Sequence, residues 1–146
     1  MAWHRRNNSI SYLGCLGDRI EGVEMTLEIA KIEDQGDLER ERIVLRVTAD
    51  ADIGWYAVFR CTTNPDGKGI LGGPISHVYW FANKKVKNGD LIIIYSKHGV
   101  RSEKTGENGV TSHFFYWQLD TPIWIKGKRA VVVETPIWTL GESIIA

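Results

Sequence analysis

Four histidines, His4, His77, His98 and His113, are the first side chains to weigh for metal binding or proton transfer. A zinc centre draws its ligands from short, fixed spacings such as His-Glu-x-x-His or paired cysteines, and none of the four sits in one. His77 and His113 each lie in an aromatic run, SHVYWF and HFFYWQL, so pairing of those runs would bring the two rings together. Failing that, they are packed or surface imidazoles. Cys61 closes the run GWYAVFRC, and His77 follows it beyond a glycine-rich segment. Nucleophilic catalysis needs that base within reach of the thiol. No GxSxG elbow accompanies the pair, and a cysteine at a strand end ordinarily serves as a small buried apolar group.

Oxygen and phosphate chemistry have thinner support. Asp50 and Asp52 fall on one side of an extended backbone, a spacing that suits a cation, but the segment lacks the further oxygen ligands of a calcium loop. Glu33, Asp34 and Asp37 read as solvated acids of a turn. The segment DGKGILGG lacks the GxxxxGK[ST] spacing, and no helix follows it to present amides to a phosphate. Lys84, Lys85 and Lys87, with Lys97, Arg101 and Lys104 further along, can meet phosphates while Tyr79, Trp80 and Tyr116 offer stacking faces for single-stranded nucleic acid. The competing reading makes those lysines a rim that keeps a sheet edge from aggregating. No catalytic set, metal ligand set or cofactor motif emerges, so the chain is expected to be non-enzymatic.

The elements that must carry these residues alternate with period two, the pattern of strands with one wet face. Met25, Leu27 and Ile29 alternate with Thr26 and Glu28; Ile43, Leu45 and Val47 alternate with Arg42 and Arg46. Trp55, Ala57 and Phe59 share one side of the next strand. LIIIYSK, opened by the turn Asn88-Gly89-Asp90, is apolar enough to be central and covered on both faces. Residues 98–112 read as a long polar loop, and HFFYWQL and AVVVE complete the set. The tetrapeptide TPIW occurs at Thr121–Trp124 and again at Thr135–Trp138. Proline lacks an amide proton, so each copy marks a strand end or bulge. Leu45, Trp55, Phe59, Ile93, Phe115 and Trp117 are the expected core; Tyr79, Tyr116, Trp124 and Trp138 are the residues expected to face a partner.

Composition bounds the rest. The 146 residues, 43% hydrophobic and 25% charged, suit one domain with its own core. The expected division is a loose N-terminal arm over residues 1–21 and a single domain over 22–146. Net charge is zero, so no global field favours nucleic acid or an anionic membrane, although the first half is acidic and the second basic. Cys15 and Cys61 are too few for a disulfide framework and are expected as free thiols. No run approaches the ~20 apolar residues of a membrane span, and residues 1–20 lack the apolar region of a signal peptide. The sequence reads as a cytoplasmic protein without a membrane partner.

The order of these strands resembles the lamin-tail type of immunoglobulin-like sandwich over about residues 23–135. An aspartate ahead of Gly-Trp leads into that family's third strand, matched here by Asp50, Asp52, Gly54 and Trp55. An aromatic strand, an Asn-Gly-Asp turn and a hydrophobic strand follow, matched by Tyr79 to Phe81 and Asn88 to Ile94. The resemblance implies an all-β, immunoglobulin-like antiparallel sandwich of about eight strands, acting as an interaction or assembly module, and it transfers no site residues. The expected function is capture of a protein partner, or self-association, by an aromatic patch rimmed with Lys84, Lys85 and Lys87. The alternatives are a structural subunit of a homo-oligomer and an enzyme or nucleic-acid-binding domain built on His77 and His113 or on the lysines.

Overall fold

The computed structural model describes residues 24–71, 75–135 and 137–143, Leu71 by its backbone alone. The arm expected over residues 1–21, with His4 and Cys15, lies outside the described residues, as do Gly72 and Gly73 of the glycine-rich segment.

Strict alternation dictates the first sheet. Strands β1 (Leu27–Glu33), β2 (Arg42–Val47), β8 (Leu91–Tyr95), β10 (Thr111–Tyr116) and β9 (Ser102–Thr105) lie side by side in that order. Ile43, Leu45 and Val47 of β2 and Ile92 and Ile94 of β8 point to one face and are all but sealed from water. Each such side chain contributes about 1.5–3 kcal/mol by leaving water. The second sheet centres on β4 (Tyr56–Thr63), with β11 (Lys128–Glu134) along one edge. Along the other edge run β5 (Ile70–Leu71) and β6 (His77–Trp80). A ribbon of β3 (Ala51–Asp52) and β7 (Lys85–Val86) closes one end.

The sheets meet through aromatic rings. Tyr79 of β6 packs edge-on against Phe81 at 5.2 Å, and against Phe115 at 6.1 Å and Trp117 at 5.6 Å from the opposing sheet. Edge-to-face rings add about 0.5–1.5 kcal/mol each beyond their buried area. The fold is all-β, and among the described residues the only helical piece is a short 3-10 turn at Ile53–Trp55.

Three expectations need correction. The sheets are not wholly antiparallel: β10 runs parallel to β8, inserted between β8 and β9. The polar stretch 98–112 is not all loop, because Ser102–Thr105 forms β9 on the backbone of β10. An edge strand wet on both faces needs no apolar residue, so periodicity cannot flag it. Finally, β4 presents Tyr56 and Val58 to the core and turns Phe59 outward. Both faces of that run are apolar, which leaves the alternation without a sign. Ile93 likewise faces out, half-buried, between Ile92 and Ile94.

Candidate functional site

The basic connection before β8 is held by acids acting on its backbone. Asp52 Oδ1 accepts from the amides of Gly54 at 2.8 Å and Lys84 at 2.9 Å. Asp50 Oδ1 accepts from Asn88 N–H at 2.8 Å, and Asp90 Oδ2 from Lys87 N–H at 3.1 Å. The two carboxylates of TADAD therefore cap amides. The Asn88-Gly89 turn itself relies on Gly89 at φ 93, a conformation that glycine adopts without strain. This scaffold leaves Lys85 and Lys87 exposed, while Lys84 Nζ bonds Glu103 Oε2 at 2.8 Å.

Glu103, itself exposed, also lies near a buried polar pair. His113 is buried, its Nε2 3.0 Å from Asp90 Oδ2 and its Nδ1 3.4 Å from Glu103 Oε2. Burial pushes the Asp90 carboxyl up, but the bond from His113 and the amides of Lys87 and Thr111 outweigh it and hold the pKa low. The bond and charge of Lys84 lower the Glu103 pKa in the same sense. Nothing in HFFYW signalled that His113 would be paired with carboxylates.

His77 and His113 are not brought together. His77 lies on β6 against β4, its ring edge-on to Trp117 at 6.4 Å and its Nδ1 3.1 Å from Ser76 Oγ. Burial lowers its pKa, helped by the Arg60 charge. Cys61 is buried, and desolvation pushes its thiol up, away from the thiolate a nucleophile requires. Among the described residues no three or more His, Cys, Asp or Glu side chains converge in a way that would hold a metal ion.

The residues expected to face a partner divide. Trp124 is core, 2% exposed, with its ring 6.0 Å from Trp117, which corrects the surface assignment. Its segment crosses the end of the sandwich because the Ile123 and Trp124 amides donate to the buried Glu41 carboxylate at 2.9 and 3.1 Å. Tyr79 is also corrected: it is half-buried in the inter-sheet aromatic cluster. Tyr116 is half-buried on the outer face of the first sheet, stacked on Tyr95 at 5.4 Å. It stands at the far end of β10 from the lysine connection, about 16 Å away at strand rise, so tyrosine and lysines form no single stacking groove.

Trp138 is exposed. It packs edge-on to Trp80 at 5.5 Å, the two rings 62% and 49% exposed. Trp80 belongs to an apolar outer face of the second sheet. Across that face the register aligns Val133, Ala57 and Trp80 in one row and Val131, Phe59 and Val78 in the next. The Trp80 indole donates to Gly54 O at 3.1 Å, and Gly54 lies tight against Asn83, where the lysine connection begins. Trp80 was read as a stacking face for nucleic acid and is exposed, whereas Val78 was missed, although one β-strand always turns alternate residues to opposite faces.

No protein-family model and no curated protein matches this chain. No helix among the described residues is long and apolar enough to cross a membrane.

Proposed function

We propose that the protein is a non-enzymatic interaction module that captures a protein partner on the outer face of its second sheet. The observation that carries this reading is the Trp80–Trp138 pair, two large rings 49% and 62% exposed beside Val78, itself 49% exposed. Solvent-exposed apolar surface of this kind is costly unless something covers it. Aromatic residues set among near-neutral neighbours are the usual anchors of protein interfaces. Lys85 and Lys87, exposed on the connection that begins beside Gly54, would favour an acidic partner surface. The likeness to the lamin-tail sandwich, whose members mediate assembly rather than catalysis, supports the same reading.

The test compares the wild-type protein with the Trp80→Ser, Trp138→Ser double variant as bait, with bound proteins quantified side by side. The reading expects partners that the wild type recovers and the folded double variant loses at least tenfold. Equal recovery by both baits would overturn it.

A further inference from the structure

Strand β6 is bonded to β4 along one side, and among the described residues its other side makes no backbone hydrogen bond. Phe81 N–H donates to Tyr56 O, which fixes the phase of the pairing. Bonded residues alternate in an antiparallel pair, so His77 and Tyr79 turn their backbone groups to β4. The N–H and C=O groups of Val78 and Trp80 therefore point to the open edge. The same two residues carry exposed side chains on the outer face, so this edge offers backbone bonds and apolar contact together.

An unpaired cation stands beside that edge. β9 pairs with β10 through Ser102 opposite Phe114, and the register carried one residue further sets Arg101 opposite Phe115. Residues directly opposite each other share a face of a sheet, so Arg101 points inward with Phe115. Phe115 meets the Tyr79 ring of β6 at 6.1 Å, which brings the Arg101 charge close enough to act on the Tyr79 hydroxyl. Lys84, nearby, is paired with Glu103. Arg101 has no hydrogen bond or ion pair among the described residues.

We infer that the edge of β6 takes an extended segment of a protein partner as an added antiparallel strand, with an acidic residue opposite Tyr79 and an apolar residue on either side of it. The inference rests on the reading of the Trp80–Trp138 face as the partner surface and deepens it by naming what is recognised. In this register the two apolar residues stand opposite Trp80 and Val78 and exchange a pair of backbone bonds with each. Their side chains fall on the outer face, one against the Trp80 and Trp138 rings and the other against Val78. The residue between them turns inward, toward Tyr79 and Arg101. A carboxylate there supplies the anion that Arg101 lacks, and a basic residue is repelled. Lys85 and Lys87, exposed beyond the Trp80 end of the strand, extend the same preference. Backbone bonds give such a site its affinity and alternate side chains its specificity. With only two outward residues, β6 is too short to pair indiscriminately, so the rings and Arg101 decide what binds.

The test is an NMR titration of the full chain with the acetylated and amidated peptide Gly-Ser-Val-Glu-Val-Ser-Gly, up to about 1 mM. Two further peptides serve as controls, one with lysine in place of the glutamate and one with both valine amides methylated. The glutamate peptide should shift the Val78 and Trp80 amides and bind at least about tenfold more tightly than the lysine peptide. Methylation removes the donors aimed at the Val78 and Trp80 carbonyls, so it should abolish binding. Arg101→Glu should reverse the preference between the glutamate and lysine peptides. No saturable shift at Val78 or Trp80, indifference to methylation, or an unchanged preference in Arg101→Glu each overturns the inference. Arg101→Glu also joins the capture experiment as a third bait. Partners lost by the Trp80→Ser, Trp138→Ser variant but kept in full by Arg101→Glu sink the strand addition and leave the capture reading standing. Equal recovery by all three baits sinks the capture reading itself.

Discussion

Glu41 and Trp124, 83 positions apart in sequence, are joined by a hydrogen bond from the Trp124 amide to Glu41 Oε1 at 3.1 Å. The carboxylate is fully buried, and its four donors come from three segments of the chain. Gly36 N–H bonds Oε1 at 2.9 Å, while Ser96 Oγ–H at 2.5 Å and Ile123 N–H at 2.9 Å bond Oε2. One side chain thus ties the β1–β2 turn, the end of β8 and the first TPIW segment together.

Replacing that carboxylate should therefore cost more than a surface change. Glu41→Ala strands the donors of three segments, and a loss of about 3 kcal/mol is expected in urea unfolding. Glu41→Gln keeps the shape but turns an NH2 group toward donors, so it should recover only part of the loss. Trp124 fluorescence should shift to longer wavelength in both variants.

Asp90 gives the protein an acid sensitivity with a definite sign. Its pKa is lowered by folding, so the folded state favours the ionised form. The stabilisation is complete above the unfolded aspartate value of about 4 and is lost as pH falls through the lower folded value. Urea midpoints should drop over that acid interval. Asp90→Asn should lower the midpoint at neutral pH and flatten the acid fall. It should not abolish the fall, because the Glu33 and Glu103 pKa values are lowered too.

Gly99 is where the chain passes the Tyr116 ring. A Cβ there would run into the Tyr116 side chain, which stacks on Tyr95. The Gln118 side chain fixes Gly99 in place, donating to its carbonyl at 2.7 Å and accepting from its amide at 3.1 Å. Gly99→Ala should cost about 1–3 kcal/mol by overpacking and should weaken the near-ultraviolet tyrosine signal. Adding Tyr116→Ala should relieve most of that cost; an additive double variant would refute the contact.

These positions explain what the sequence could and could not convey. Ile43, Leu45 and Val47 were legible because arginines alternate with them, although Val44, on the arginine face, is buried as well. In YAVFRC and LIIIY both faces are apolar, and the same rule could not choose between Val58 and Phe59 or between Ile92 and Ile93. The two TPIW copies are identical in type, yet Trp124 is sealed and Trp138 exposed. What separates them is Glu41, a partner that only the tertiary fold supplies. The Asp90–His113 pair was illegible for the same reason: it joins residues 23 positions apart through strand pairing that no local pattern encodes. The lysine segment, read as a plain connection, contains strand β7, and its fixing by Asp50, Asp52 and Asp90 depends on where the turns fall.

Arg60 supplies the second anchor of the buried TPIW segment, and its effect should be coupled to that of Glu41. Its Nη1 donates to Ile123 O at 3.1 Å, while Nε and Nη2 donate to Ser76 Oγ at 3.1 and 2.7 Å. A guanidinium can bridge the two segments because its donors form a rigid fork; an ammonium on a flexible stem can hold only one. Arg60→Lys should cost about 1 kcal/mol. Glu41 grips the amide of Ile123 and Arg60 its carbonyl, so loss of either loosens the segment on which the other acts. A double-mutant cycle of Glu41→Ala with Arg60→Lys should show a coupling of at least about 0.5 kcal/mol, the double variant losing less than the sum of the singles. Strict additivity would mean that the segment is held elsewhere.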